Sequence, residues 1–170
     1  MTAYVALLRA VNVGGRQLRM DDLRAIASDL GLDSVRTFIA SGNLLFRSDK
    51  REAVLKAELE RALESHMGKP VGVMIRTGPE LAGAVAANPF SGEAGNRVVA
   101  IFLDEAPPPD AASSATNLTD ERLALGAREI YVHYPSAQGR SKLRVKAAAR
   151  GTARNMNSVA RLAELAREME

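Results

Sequence analysis

Residues 35–47 read VRTFIASGNLLFR. Two runs of β-branched, aliphatic and aromatic residues, Val35 to Ala40 and Asn43 to Arg47, flank Ser41-Gly42, and a Ser-Gly pair between runs of strand length predicts a hairpin with a two-residue turn. Before it, Leu23, Ile26, Ala27 and Leu30 recur at helical spacing and stop at Gly31, so Met20 to Leu30 is predicted to be an amphipathic helix with a glycine at its end. After it, Ser48 or Asp49 caps a second helix, which has Leu55, Leu59, Ala62, Leu63 and His66 or Met67 on one face and is closed by Gly68 and Pro70. Farther out, Tyr4 to Leu8 and Val71 to Arg76 are continuous apolar runs that suit central strands. Residues 1–76 therefore follow the βαββαβ order of a ferredoxin-like plait.

The rest of the chain repeats much of this order. Thr77, with Pro79 in the first turn, opens a helix to Ala87, and Asn88-Pro89 breaks it, so 77–97 is a connection of helix and loop. Val98 to Leu103 is another apolar strand. After Pro107-Pro108-Pro109 come a short helix near Asp110 to Thr116, a hairpin of Arg122 to Leu125 with Glu129 to Tyr134, and a helical end bearing Val159, Leu162, Ala163, Ala166 and Met169 on one face. Residues 98–170 thus form a degenerate second α/β half with similar element order, lacking an evident final strand and ending in a basic helical segment. The fold class is α+β. Phe38, Ile39, Leu44, Leu45 and Phe46 place apolar groups on both faces of the first sheet, so the uncovered face needs a partner. A monomer in which the second half supplies it is the favoured arrangement, and a homodimer is the other.

Composition narrows the chemistry. The chain has 170 residues, 46% of them apolar, which is enough to bury a core and excludes disorder. It has no Cys, which removes disulfides, thiolate zinc sites and Cys nucleophiles and fits a reducing compartment, so the cytoplasm is expected. Met1 to Val11 reads as a strand carrying Arg9 and not as a leader, and no apolar run is long enough to span a bilayer. No metal or cofactor is called for.

Charge is unevenly placed. Between Glu129 and Glu164 there is no acidic residue, while Arg140, Lys142, Arg144, Lys146, Arg150, Arg154 and Arg161 contribute seven positive charges. Removing those seven from 23 basic residues leaves 16 against 20 acidic ones, so the rest of the chain nets −4. Met1 to Met20 is also free of acid and holds Arg9, Arg16 and Arg19. Single-sign charge over such lengths points to an anionic partner, whereas a merely solubilising surface mixes signs. Asn12-Val13-Gly14-Gly15 after the first strand lets backbone N–H groups approach an anion, or is simply a turn needing positive φ; it lacks the GxGxxG spacing of a dinucleotide site. Gly139-Arg140-Ser141-Lys142 is not a phosphate-binding loop, because the lysine follows the serine. Thr152 or Asn155 is a candidate cap for the last helix, whose N-terminus, with Arg154 beside it, is a further anion candidate.

Catalytic signatures are missing. Neither His66 nor His133 is tied by spacing to a nucleophile or a carboxylate, and both are read as structural. Ser41 in FIASGN lacks the GxSxG elbow. Asp21-Asp22 and Asp104-Glu105 are adjacent pairs whose side chains diverge, so they form neither a metal cage nor an acid/base dyad. Aromatic residues are too few for a base-stacking platform.

The stretches LLRAVNVGG at 7–15, VRTFIASGNLLF at 35–46, ANPF at 87–90, YVHYPSAQGRSKL at 131–143 and GTARNMNSVARLAEL at 151–165 together resemble the domain of unknown function 1697 family across nearly the whole chain. The resemblance implies an α+β, ferredoxin-like architecture and brings no activity with it. The family's characteristic positions fall on Arg9, Asn12, Gly14, Gly15, Ser41, Gly42, Asn43, Arg140, Ser141, Lys142, Thr152, Arg154 and Asn155, and Met156 stands where the family typically has Trp. The combined candidate set for anion contact is Arg9, Asn12, Gly14, Gly15, Asn43, Arg140, Ser141, Lys142, Arg154 and Asn155. The expected function is an anion-binding module for a phosphate-bearing small molecule or nucleic acid. The alternative is an enzyme on a small anionic substrate positioned by the same basic residues, with a deep pocket joining Arg9, Asn43 and Lys142 as its mark.

Overall fold

A computed structural model describes residues 1–11, 17–39 and 42–170. The chain divides into two compact units, Met1–Glu80 with Leu162–Glu170, and Leu81–Arg161.

In the first unit, β1 (Thr2–Leu8), β2 (Asp33–Thr37), β3 (Asn43–Ser48) and β4 (Val73–Thr77) make one sheet of order β2-β3-β1-β4 in which every pairing is antiparallel. This is the ferredoxin-like order, and the crossovers are α1 (Met20–Asp29) and α2 (Glu52–Met67). Strand alternation sends Tyr4, Ala6 and Leu8 toward the helices, where they meet Leu23 and Ala27 of α1 and Leu55, Leu59 and Leu63 of α2. The four-residue spacing along α2 keeps its three leucines on one stripe, and all three are wholly buried. Gly68 ends α2 at φ 72°, in the left-handed region that glycine enters freely, and donates its N–H to the Glu64 carbonyl at 2.8 Å.

Two local expectations change here. The predicted cap of α2 at Ser48 or Asp49 falls instead at Arg51, without a side-chain cap bond, and Ser48 Oγ accepts from the Lys50 N–H within the preceding turn. The hairpin also has more than a two-residue turn, because β2 stops at Thr37. The Phe38 N–H donates to the Asn43 carbonyl at 3.1 Å, and the Asn43 side-chain amide donates back to the Phe38 carbonyl at 2.9 Å. Gly42 stands at φ 82°, and a Cβ there would lie 2.6 Å from Val11 Cγ2, so both conformation and space require glycine.

In the second unit, β5 (Val98–Phe102), β6 (Arg122–Leu125), β7 (Glu129–His133) and β8 (Thr152–Asn155) form a sheet of order β6-β7-β5-β8, again wholly antiparallel. Counted from its own first strand, this is the order of the first sheet. The final strand missing from the sequence-based expectation is therefore present as β8, paired to β5 through Phe102 and Thr152. The helices between strands are not repeated. The predicted helix at Asp110 to Thr116 is a series of turns, in which Ser113 Oγ donates to the Asp110 carbonyl and competes with helical bonding. Residues 134–151 are irregular, with 3₁₀ turns at Gln138–Arg140 and Lys146–Ala148. These two segments cover the sheet: Ala111, Leu143, Val145, Ala147 and Ala148 pack against Val99, Ile101, Ile130 and Val132.

The fourth strand of each sheet is followed directly by a helix, α3 (Gly78–Ala86) after β4 and α4 (Met156–Glu168) after β8. Thr77 and Glu80 cap α3 reciprocally: Thr77 Oγ1 accepts from the Glu80 N–H at 3.2 Å and Glu80 Oε1 from the Thr77 N–H at 2.8 Å. The buried face of α4 is Met156, Val159, Leu162, Leu165 and Ala166. Among the described residues no helix is long and apolar enough to cross a membrane.

Candidate functional site

The basic segment owes its form to alternation. Lys142 to Val145 runs extended, and successive side chains of an extended chain point to opposite sides. Leu143 and Val145 turn inward onto the sheet, while Lys142, Arg144 and Lys146 are exposed. Arg144 is held in place by its backbone, which exchanges two hydrogen bonds of 2.9 Å with Thr116 in the other covering segment. Arg140 and Arg150 are exposed at the two ends of this row, and among the described residues none of the five cations is in an ion pair.

The other candidates have different surroundings. Arg154 is 9% exposed in β8, donates to the Ala153 carbonyl at 2.9 Å, and has its guanidinium pushed down to about 10 by burial, so it carries charge inside the fold and not on its surface. Asn155 Oδ1 accepts from the Ser158 N–H at 2.9 Å, capping α4 and occupying the donor an anion would use. Thr152 is buried in β8, and Met156 is buried at the start of α4. In the first unit, Arg9 is exposed just past β1, its N–H bonded to the Gly72 carbonyl, and Asn43 is wholly buried closing the hairpin. Asn12, Gly14, Gly15 and Ser41 lie outside the described residues.

Ser141 serves a carboxylate. Its hydroxyl donates to Glu121 Oε2 at 2.5 Å and accepts from the Leu143 N–H at 3.1 Å. Glu121, 5% exposed, also takes the Thr119 N–H at 2.8 Å and the Thr119 hydroxyl at 3.1 Å on Oε1. The bond from Ser141, then that from the Thr119 backbone, hold this carboxyl down at about 2. Next to it, Asp120 Oδ2 accepts from Ser136 at 2.5 Å. Tyr134 is 9% exposed, and its hydroxyl is pushed above its ordinary value by burial and by the Glu121 charge. Asp120 and Glu121 were not sequence candidates, because TNLTDER at 116–122 has the composition of an exposed turn, and Tyr134 was not one because it reads as the end of a strand.

His133 is also better connected than its sequence neighbours suggest. Its Nδ1 lies 3.2 Å from an Arg122 guanidinium nitrogen and its Nε2 3.2 Å from Glu93 Oε2, while Arg122 sits over the Phe90 ring at 5.2 Å. The imidazole thus bridges a guanidinium on one ring nitrogen and a carboxylate on the other. These contacts clamp the turn after Asn88-Pro89 onto the β6–β7 hairpin, with no nucleophile among them. Among the described residues, no group of three or more His, Asp or Glu side chains is placed to hold a metal ion.

Comparison with known proteins agrees with this architecture. The chain is similar to the conserved bacterial protein SP0830 from Streptococcus pneumoniae, with 25% identity and a TM-score of 0.82 over 98% of this chain and 99% of that one. No curated protein matches. Residues 1–131 match the family described as protein of unknown function DUF1697, which takes in Met1–Glu80 of the first unit and, in the second, β5, β6 and the start of β7. The strand order, the linked sequence blocks and this match lead to one assignment: the chain belongs to the DUF1697 family.

Proposed function

We propose that this protein is an anion-binding module whose contact surface is the row Arg140, Lys142, Arg144, Lys146 and Arg150, and whose ligand presents repeated phosphates, as single-stranded nucleic acid does. The supporting observation is the alternation along Lys142 to Lys146: the apolar side chains are spent on the core, and every second residue presents an unpaired cation. In an extended chain such cations recur about every 6.6 Å, a regular charge array for a polyanion and a poor enclosure for one small ion. Arg154 and Asn155 drop out of the contact set because one is buried and the other caps a helix. With few aromatics to stack on bases, recognition runs through the backbone and discriminates little between sequences.

Fluorescence anisotropy with short DNA and RNA strands at several salt concentrations tests this. Affinity should fall steeply with salt, and Lys142→Ala, Arg144→Ala and Lys146→Ala should each flatten the log-log slope by about 0.7. Arg161→Ala, outside the row, should leave the slope unchanged. Binding that ignores salt, or tight binding of inorganic phosphate abolished by one substitution, would replace the polymer reading with the small-substrate one.

A further inference from the structure

At the Arg140 end of the row the second unit contains a cavity of about 300 Å³, lined in part by Asp120, Glu121, Tyr134, Ser136, Arg140 and Ser141. That volume is at the small end of ligand sites and suits a compact molecule. Its charges are separated. Asp120 and Glu121 bring two carboxylates, each bonded only to hydroxyls and backbone N–H, and Arg140 lines the same cavity without forming an ion pair with either. Tyr134 adds a polar group from the core: the residue is 9% exposed, it lines the cavity, and among the described residues its hydroxyl has no hydrogen-bond partner. The hydroxyl opens onto the cavity and is free to bond a ligand atom there.

We infer that this cavity binds a compact zwitterion, an ammonium group facing Asp120 and Glu121 and an acid group a few atoms away facing Arg140, with the Tyr134 hydroxyl bonding between them. A simple anion is repelled by the two carboxylates, and a simple cation leaves Arg140 unused. A molecule carrying both charges satisfies each side. The site shares only Arg140 with the cation row and does not depend on polymer binding.

The test uses the full chain and four probes: glycine and O-phosphoethanolamine as zwitterions, ethylammonium as cation alone and inorganic phosphate as anion alone. Calorimetry gives affinity, and amide NMR shifts at Thr119, Ser136 and Ser141 give location. Saturable binding of at least one zwitterion at those amides is expected, and which one binds decides between carboxylate and phosphate as the acid group. Asp120→Asn and Arg140→Ala should each weaken it roughly tenfold or more, and Tyr134→Phe less, since it removes one neutral hydrogen bond. Asp120→Asn should leave salt-dependent polymer binding unchanged, which separates failure of this site from failure of the row. No shift at these amides with either zwitterion, ethylammonium binding as tightly as the zwitterions, or phosphate alone moving the same amides would each overturn the assignment.

Discussion

The sheet of the first unit is covered by two helices with wholly buried leucines, whereas the sheet of the second, built in the same strand order, is covered by two irregular segments whose apolar residues are mostly half-buried. A helix satisfies its own backbone and gives one face to the core and the other to water. An extended covering strand also gives alternate residues to the core, but its outward residues form a line, and its backbone must find partners elsewhere. The second arrangement offers less burial and a display of charge and hydroxyl groups along one edge. It explains why the basic residues, and the cavity at their end, belong to the second unit.

The sharpest way to break this contrast is to cut into each cover. Leu59→Ala in α2 should cost about 2–5 kcal/mol in denaturant unfolding, as truncations of fully buried leucines do. Tyr131→Phe comes next. Its hydroxyl donates to the Ala84 carbonyl of α3 at 2.6 Å, so removal leaves a buried acceptor unbonded, at about 1–3 kcal/mol. Burial first, then the nearby Glu129 charge, pushes Tyr131 up to about 12 from 10. Its contribution should therefore be complete below pH 10 and disappear as pH rises through 12, and Tyr131→Phe should lose that alkaline limb. Leu143→Ala in the irregular cover should cost about 1 kcal/mol. If it matched Leu59→Ala, the two covers would be equally firm and the contrast would fail.

The smallest effect sharpens the comparison through pH. Glu121 is held near 2 against an ordinary 4.5, so the stability it contributes is present above 4.5 and disappears as pH falls through 2. Ser141→Ala removes the largest cause of that depression. The variant should therefore be slightly less stable than the wild type near neutrality and lose less stability on acidification, the two converging as pH falls toward 2, which a series of urea titrations from neutral to acid pH would read directly.

How much of this was legible depended on how strongly local spacing and tertiary need agreed. α1, α2 and β1 carry uninterrupted apolar periodicity, and the structure has them close to where the spacing puts them. β8 was missed because it has four residues and one of its inward positions is Arg154, a residue whose burial no alternation rule anticipates. The turns at 110–116 were read as a helix because alanines favour one, yet Ser113 and Ser114 bond to nearby carbonyls instead. At the site, the concentration of positive charge was visible by counting. That five of seven cations face outward unpaired, that Arg154 turns in, and that Ser141 serves Glu121 depended on contacts between residues 20 apart, which composition does not encode.

The paired backbone bonds between Thr116 and Arg144 have a consequence in time. They fasten two long covering segments to each other at one point, so neither can lift without the other, and the loops on either side of the fastening are shorter than the segments themselves. Amide exchange should show Thr116 and Arg144 as a slow pair within a fast-exchanging surface. Their joint opening would set the rate at which this half of the surface rearranges.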